Sequence, residues 1–230
     1  MTRRSVGLVV LLAVAAGACS GHAAAPATST TSATTRHPAP AASTFTSRIS
    51  TVAPADVAAS WHEGCPLPVD QLRALDASYW GFDDRPHQGR IVVAADQVDA
   101  VQRVLSALFT ARYPIHRMVP VDRYGGSDDA SVLADNTSGF NCRRATGGNG
   151  WSEHAYGRAI DLNPLENPYV RGTTVLPPQS APLLDRTRTD RGIIHAGDAA
   201  VRAFAAVGWI WGGQWPGATR DYQHFSPSGH

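Results

Sequence analysis

The chain has 230 residues, a net charge of +1 and no basic block, so nothing in it predicts a nucleic-acid-binding surface. An apolar leader and a tract of small polar residues come first. Roughly 170 residues remain, enough for one domain with a sizeable core, and they contain no internal repeat.

In chain order, Arg3 and Arg4 precede an apolar run from Val6 to Ala16. A run of about ten residues is too short to span a bilayer, which takes roughly 20. The basic start, short apolar centre and small residues before Cys19 read as a secretory signal. Ala16-Gly17-Ala18-Cys19 resembles a bacterial lipobox, with Ala16 where such boxes usually carry Leu, and it predicts lipidation of Cys19. The alternative is an ordinary signal peptide cut nearby. Residues 1–19 are therefore expected to be a leader. Residues 20–50 are expected to be a disordered tether of Ala, Ser, Thr and Pro, and residues 51–230 the folded domain. The tether has too few large apolar side chains to offset the entropy of folding. This organisation predicts a secreted protein of the cell envelope, a monomer anchored to the membrane through Cys19. Cys65 and Cys142 are then left as a pair for a disulfide in an oxidising compartment. Neither has a neighbour at metal-site spacing.

Within the domain, Pro68-Val69-Asp70 predicts the start of a short helix with Leu72 and Leu75 inward. Arg90 to Ala94 is β-branched and predicts a strand. Asp96 is a candidate cap for a helix that carries Val98, Val101, Leu105 and Leu108 on one face and ends near Arg112, ahead of Pro114. Ile115 to Val121 predicts a second strand. Residues 122–150 are rich in Gly, Asp, Asn and Ser and predict loop, with one strand around Phe140 to Arg144. Asp128, Asp129 and Asp135 lie in this loop at spacings that do not fit an EF-hand, and read as turn and capping residues. Arg158 to Leu162 predicts a strand with Ala159 and Asp161 on one face. A long Pro-rich connection follows to about His195. Asp198 then caps a helix with Val201, Phe204 and Val207, stopped by Gly208. Trp209 to Trp211 and Asp221 to Phe225 predict short strands. The order lacks strict strand–helix alternation. It predicts an α+β fold, a small, mostly antiparallel sheet with a few flanking helices.

Two fragments hold the chemistry. Ser152-Glu-His-Ala-Tyr-Gly-Arg-Ala-Ile-Asp161 places His154 and Asp161 seven apart, with Gly157 between them, and Asp221-Tyr-Gln-His224-Phe225 adds a second imidazole. In a straight strand an odd separation puts two side chains on opposite faces, so His154 and Asp161 converge only if the chain turns, and Gly157 is where a turn is expected. Two imidazoles and one carboxylate make a zinc ligand set that leaves a fourth position for water. Asp221, three residues before His224, is the spare carboxylate that takes the water's proton. Against this, any single histidine among the nine is more often a core or surface residue.

SEHAYGRAID matches the pattern SxHxxGxAxD, and the chain resembles the D-alanyl-D-alanine carboxypeptidase and L-alanyl-D-glutamate endopeptidase family of zinc peptidases, related in fold to the hedgehog signalling domain and lysostaphin. DYQHF resembles the family's second block. The resemblance runs from about Trp61 to Phe225. It implies a hedgehog- and DD-peptidase-like fold, Zn2+ bound by His154, Asp161 and His224, and Asp221 as the catalytic carboxylate where many relatives have Glu. It also implies an upstream arginine that steadies the substrate carbonyl and oxyanion. Arg143, next to Cys142, is favoured for that role over Arg144, which fits a solvated side chain. Ser152, Trp151, Tyr156 and Tyr222 are candidates for substrate contacts, with Glu153 beside the ligand set and Trp209 and Trp211 as core. The expected activity is hydrolysis of a peptide bond in peptidoglycan stem peptides. The rival reading is a non-catalytic, zinc-containing lipoprotein that binds the cell wall.

Overall fold

The structure is a computed structural model and describes residues 44–229. The leader, Cys19 and most of the tether lie outside the described residues. Among the described residues no helix is long and apolar enough to cross a membrane. The first strand, β1 (Ser47–Thr51), pairs antiparallel with β2 (Leu72–Trp80). Ser47 to Ser50, assigned above to the tether, are therefore strand.

β2 and β3 (Pro86–Ala94) form a nine-residue hairpin in register from Leu72↔Ala94 to Trp80↔Pro86. This corrects the helix expected after Pro68: only Val69–Gln71 is a 3-10 turn, and the chain then extends. Leu72 and Leu75 are both buried, but on opposite faces of the sheet. Leu72, Ala74 and Val92 pack with Val52, Val57, Phe140 and Cys142. Leu75, Ala77, Ile91 and Val93 pack with the face of α1 (Val98–Thr110) that carries Val101, Leu105 and Leu108. A spacing of three satisfies a helix and equally a strand covered on both sides. α1 has the bounds and buried face expected. Its N-cap is Gln97 without a side-chain bond, because Asp96 pairs instead with Arg158.

The strand expected over Ile115 to Val121 shrinks to β4 (Arg117–Met118), parallel to β5 (Asn136–Thr137). Pro120 ends it by leading into the 3-10 turn Val121–Tyr124. Residues 122–150 are not all loop. α2 (Asp128–Leu133) forms there, with the Ser127 hydroxyl accepting from the Ala130 nitrogen. The strand expected around Phe140 to Arg144 is absent apart from a bridge between Arg144 and Trp151. β6 (Ile160–Asp161) follows. The Pro-rich connection is then a built element: β7 (Tyr169–Arg171) and β8 (Thr174–Leu176) form a hairpin. Arg186 pins the rest, donating to the carbonyls of Glu166, Leu183 and Ile194 and to Asn167 Oδ1. α3 (Ala199–Ala205) is capped by Asp198 Oδ1, as expected. β9 (Ile210–Trp211), β10 (Thr219–Asp221) and β11 (His224–Ser226) end the fold. The whole is a mixed fold of three small antiparallel sheets, β1-β2-β3, β10-β7-β8 and β6-β11-β9, plus the β4-β5 pair, with three helices among the described residues.

Cys65 and Cys142 are bonded, with Cα atoms 5.9 Å apart across 77 residues of chain. The bond ties the segment before β2 to the residue before Arg143. A Cys65→Ala/Cys142→Ala variant is expected to lose about 2–5 kcal/mol of stability in urea denaturation. Two titratable thiols in the unreduced wild-type domain would contradict the bond itself. Gly157, at φ +64°, makes the turn expected of it. A Cβ there would lie 2.5 Å from the Ala94 nitrogen. Gly157→Ala is therefore expected to cost about 1–3 kcal/mol, read in the same assay, and an unchanged midpoint would show that the turn is not held against β3.

Candidate metal centre and active site

The site begins with one strand pairing. β11 runs antiparallel to β6, with His224 opposite Asp161 and Phe225 opposite Ile160. Directly opposite residues share a face, so Phe225 and Ile160 enter the core while His224 and Asp161 face the other way together. His154 arrives from the 3-10 turn Glu153–Tyr156, which starts at Ser152 and stops at Gly157. The Ser152 hydroxyl accepts from the His154 nitrogen, so Ser152 is a cap that fixes the ligand's backbone. The spacing of seven is thus bridged by a turn, and the two residues converge.

The three side chains are buried, and their ligand atoms all lie within 4.8 Å of one another. His154 Nε2 is 3.1 Å from Asp161 Oδ2, and His224 Nδ1 is 3.1 Å from Asp161 Oδ1. His154 Nδ1 lies 2.6 Å from the Gly139 carbonyl, a position only a ring N–H can take, so its proton is there and Nε2 offers a lone pair. That Nε2 is buried with no hydrogen-bond partner among the described residues. Burying such an atom is costly unless something else binds it. Two ligands of a tetrahedral zinc, each at about 2.0–2.1 Å, stand roughly 3.3 Å apart, close to the separations seen. The donor set fits zinc.

The two carboxylates have opposite environments. Burial pushes Asp161 up, but the His154 and His224 imidazoles beside it outweigh that and hold the carboxyl well below the usual range. Burial pushes Asp221 up to about 6, and the Asp161 charge adds to the effect. Asp221 ends β10, opposite Tyr169 of β7, and its Oδ1 is buried without a hydrogen-bond partner among the described residues. A carboxylate raised in this way is suited to exchange a proton near neutral pH.

A cleft of two lobes opens over these groups. One, of about 320 Å³, is lined by His154, His224, Ser152, Glu153, Trp151 and Trp215. The other, of about 340 Å³, lies between α2 and β8. Arg143, Thr146, Tyr169 and Asp221 line both, so the lobes meet at the proposed base. Arg143 is steadied by Asp128, whose Oδ1 is 2.8 Å from its Nε. Arg144 is not simply solvated: it stacks over Trp151 and donates to the Asn149 carbonyl. Trp151 is in the cleft as expected, but Tyr156 and Tyr222 are not among its walls. Tyr156 is exposed elsewhere. Tyr222 packs against the core, under Arg186 and beside Trp211. Alternation explains this, since its neighbour Asp221 points into the cleft. Trp209 and Trp211 are core residues, as expected. Asp128 and Asp129 begin α2, and Asp135 accepts from the Leu165 nitrogen, in place of any calcium loop. Sequence reading missed Tyr169, Trp215 and Gln223 as cleft residues. Trp215 has its ring 5.6 Å from that of His224, yet its Gly-Gly-Gln-Trp context gives no signal of this.

No curated protein and no solved structure matches the chain. Residues 146–227, the segment with His154, Asp161, Asp221 and His224, match a family model described as D-alanyl-D-alanine carboxypeptidase.

Proposed function

We propose that the chain is a zinc-dependent peptidase that hydrolyses a peptide bond in peptidoglycan stem peptides, as a D-alanyl-D-alanine carboxypeptidase or an L-alanyl-D-glutamate endopeptidase. One observation carries the reading: a buried His154–Asp161–His224 cluster with an unpartnered imidazole nitrogen, beside a half-buried carboxylate, Asp221, with a buried, unpartnered oxygen. The family match over the same residues supports it, and supports a hedgehog- and DD-peptidase-type fold. A secreted, monomeric protein anchored at Cys19 is part of the same proposal, and rests on the leader and lipobox sequence alone.

Zinc bound at this cluster would polarise the scissile carbonyl and lower the pKa of the attacking water. The chain's own residues do the rest. Gly139 holds the His154 ring and its tautomer. Asp221 Oδ1 takes a proton from the water as the new C–O bond forms, then gives it to the nitrogen that leaves as the C–N bond breaks. A base with a pKa near the working pH suits both transfers. Arg143 donates to the carbonyl oxygen as it becomes negative. Trp151 and Trp215 wall the lobe over His154 and His224.

Three outcomes test this. Incubation with purified cell-wall fragments should release a cleaved stem peptide by mass spectrometry, with loss on chelation and recovery on adding zinc. His154→Ala should lose bound zinc and cleavage together, and zinc retained at full occupancy would remove His154 from the ligand set. Asp221→Asn keeps shape but not basicity. It should bind zinc like the wild type while turnover falls by about 10²–10⁴-fold. Zinc loss in that variant would make Asp221 a ligand, and unchanged turnover would move the base, with Glu153 next in the cleft. Wild type that binds zinc and cuts no stem peptide would favour the wall-binding protein.

A further inference from the structure

The lobe between α2 and β8 has three features that the hydrolytic step does not use. Leu133 and Leu176, from two different elements, line it while 54% and 38% exposed. Large apolar side chains this open gain when a ligand covers them. The second feature is charge. Three carboxylates, Asp128, Asp129 and Asp221, face one guanidinium, Arg143. Arg143 is already paired with Asp128, whereas Asp129 is exposed and makes no ion pair among the described residues. The third is Gln223. It is only 6% exposed, and its Oε1 is buried with no partner among the described residues. Gln223 lines the lobe, so the orphaned oxygen belongs to its wall.

Resting on the peptidase reading above, we propose that this lobe is a specificity pocket for a basic side chain, an ammonium on a methylene stem, within two residues of the scissile bond. The bond itself lies where the lobes meet, at Arg143 and Asp221. Leu133 and Leu176 cover the stem. Asp129 pairs with the ammonium, and Gln223 Oε1 accepts an N–H of the substrate backbone. An acidic side chain would meet uncompensated carboxylates, and a purely apolar one would forgo the pairing with Asp129.

The probes are the stem pentapeptide L-Ala-D-Glu-L-Lys-D-Ala-D-Ala and its norleucine analogue, in which lysine stands within two residues of either bond the family cleaves. Two readouts are taken on the zinc-loaded protein: kcat/KM, and affinity by calorimetry in the Asp221→Asn background. Wild type should favour lysine by up to about fivefold, the scale of one exposed ion pair. Asp129→Asn should bring the ratio near one and Asp129→Lys should reverse it. Asp70→Asn, an exposed carboxylate outside the cleft lining, should leave it unchanged. Equal handling of both peptides by wild type, or a preference that survives Asp129→Lys, overturns the pocket. If wild type cleaves neither peptide, calorimetry decides. A lysine preference that depends on Asp129 keeps the pocket and sinks the peptidase reading, and no preference sinks the pocket as well.

Discussion

The register of β11 against β6 is the constraint on which the site depends. His224 stands opposite Asp161 because Phe225 stands opposite Ile160. Phe225 is fully buried and stacks on Phe204 with ring centroids 3.8 Å apart. A slip of one residue would turn Phe225 out of the core and His224 into it. Apolar packing thus sets the position of two of the three residues proposed as ligands, and no polar contact is needed to find the register. The third ligand is located by backbone: the Ser152 cap, the left-handed Gly157, and the bond from the Ala94 nitrogen to the Gly157 carbonyl that docks the turn on β3.

Burying two histidines and an aspartate beside a second, half-buried aspartate is expensive unless their charges are matched. The structure matches them unequally. Asp161 sits between two imidazoles and is held in its charged form. Asp221 is left with burial and a like charge beside it, and is pushed up to about 6. Two carboxylates in neighbouring positions are thereby pushed apart, one suited to hold a cation and the other to move a proton. The division of roles comes from position in the sheets: Asp161 shares a sheet with His224, while Asp221 belongs to the β10-β7-β8 sheet.

The parts of the fold legible from sequence are those where one local signal dominates. α1 shows an unbroken apolar face, α3 has Asp198 and Gly208 at its ends, and the ligand motif needs a turn that Gly157 alone explains. What was misread is where two local readings agree with the same residues. Leu72 and Leu75 suit a helix face, but β2 is covered on both sides, so its apolar residues need not alternate with polar ones. α2 is only six residues long, too short for a periodic pattern, and Ser127 was its one signal. The connection after Asn163 looks irregular because its order comes from the hydrogen bonds of half-buried Arg186 and buried Asn167, which have no periodicity at all. Cleft walls were the least legible, since Tyr169, Trp215 and Gln223 come from separate elements that only the tertiary fold brings together.

The proposed base, Asp221, raises a geometric demand. Asp is one methylene shorter than the Glu common in the resembling family, so its backbone must come closer to the metal ligands. Two contacts let it do so. Tyr169 pairs with Asp221 across β7 and β10 and fixes the end of the strand. On the other side Gly212 lies against the Asp221 backbone: a Cβ at 212 would fall 2.4 Å from the Asp221 carbonyl oxygen. A residue with any side chain there would press β10 away from β11 or displace the turn that follows β9. The missing side chain at 212 therefore belongs with the missing methylene at 221, because close backbone packing is what allows a short carboxylate to sit near enough to the ligand set for the Asp161 charge to act on it.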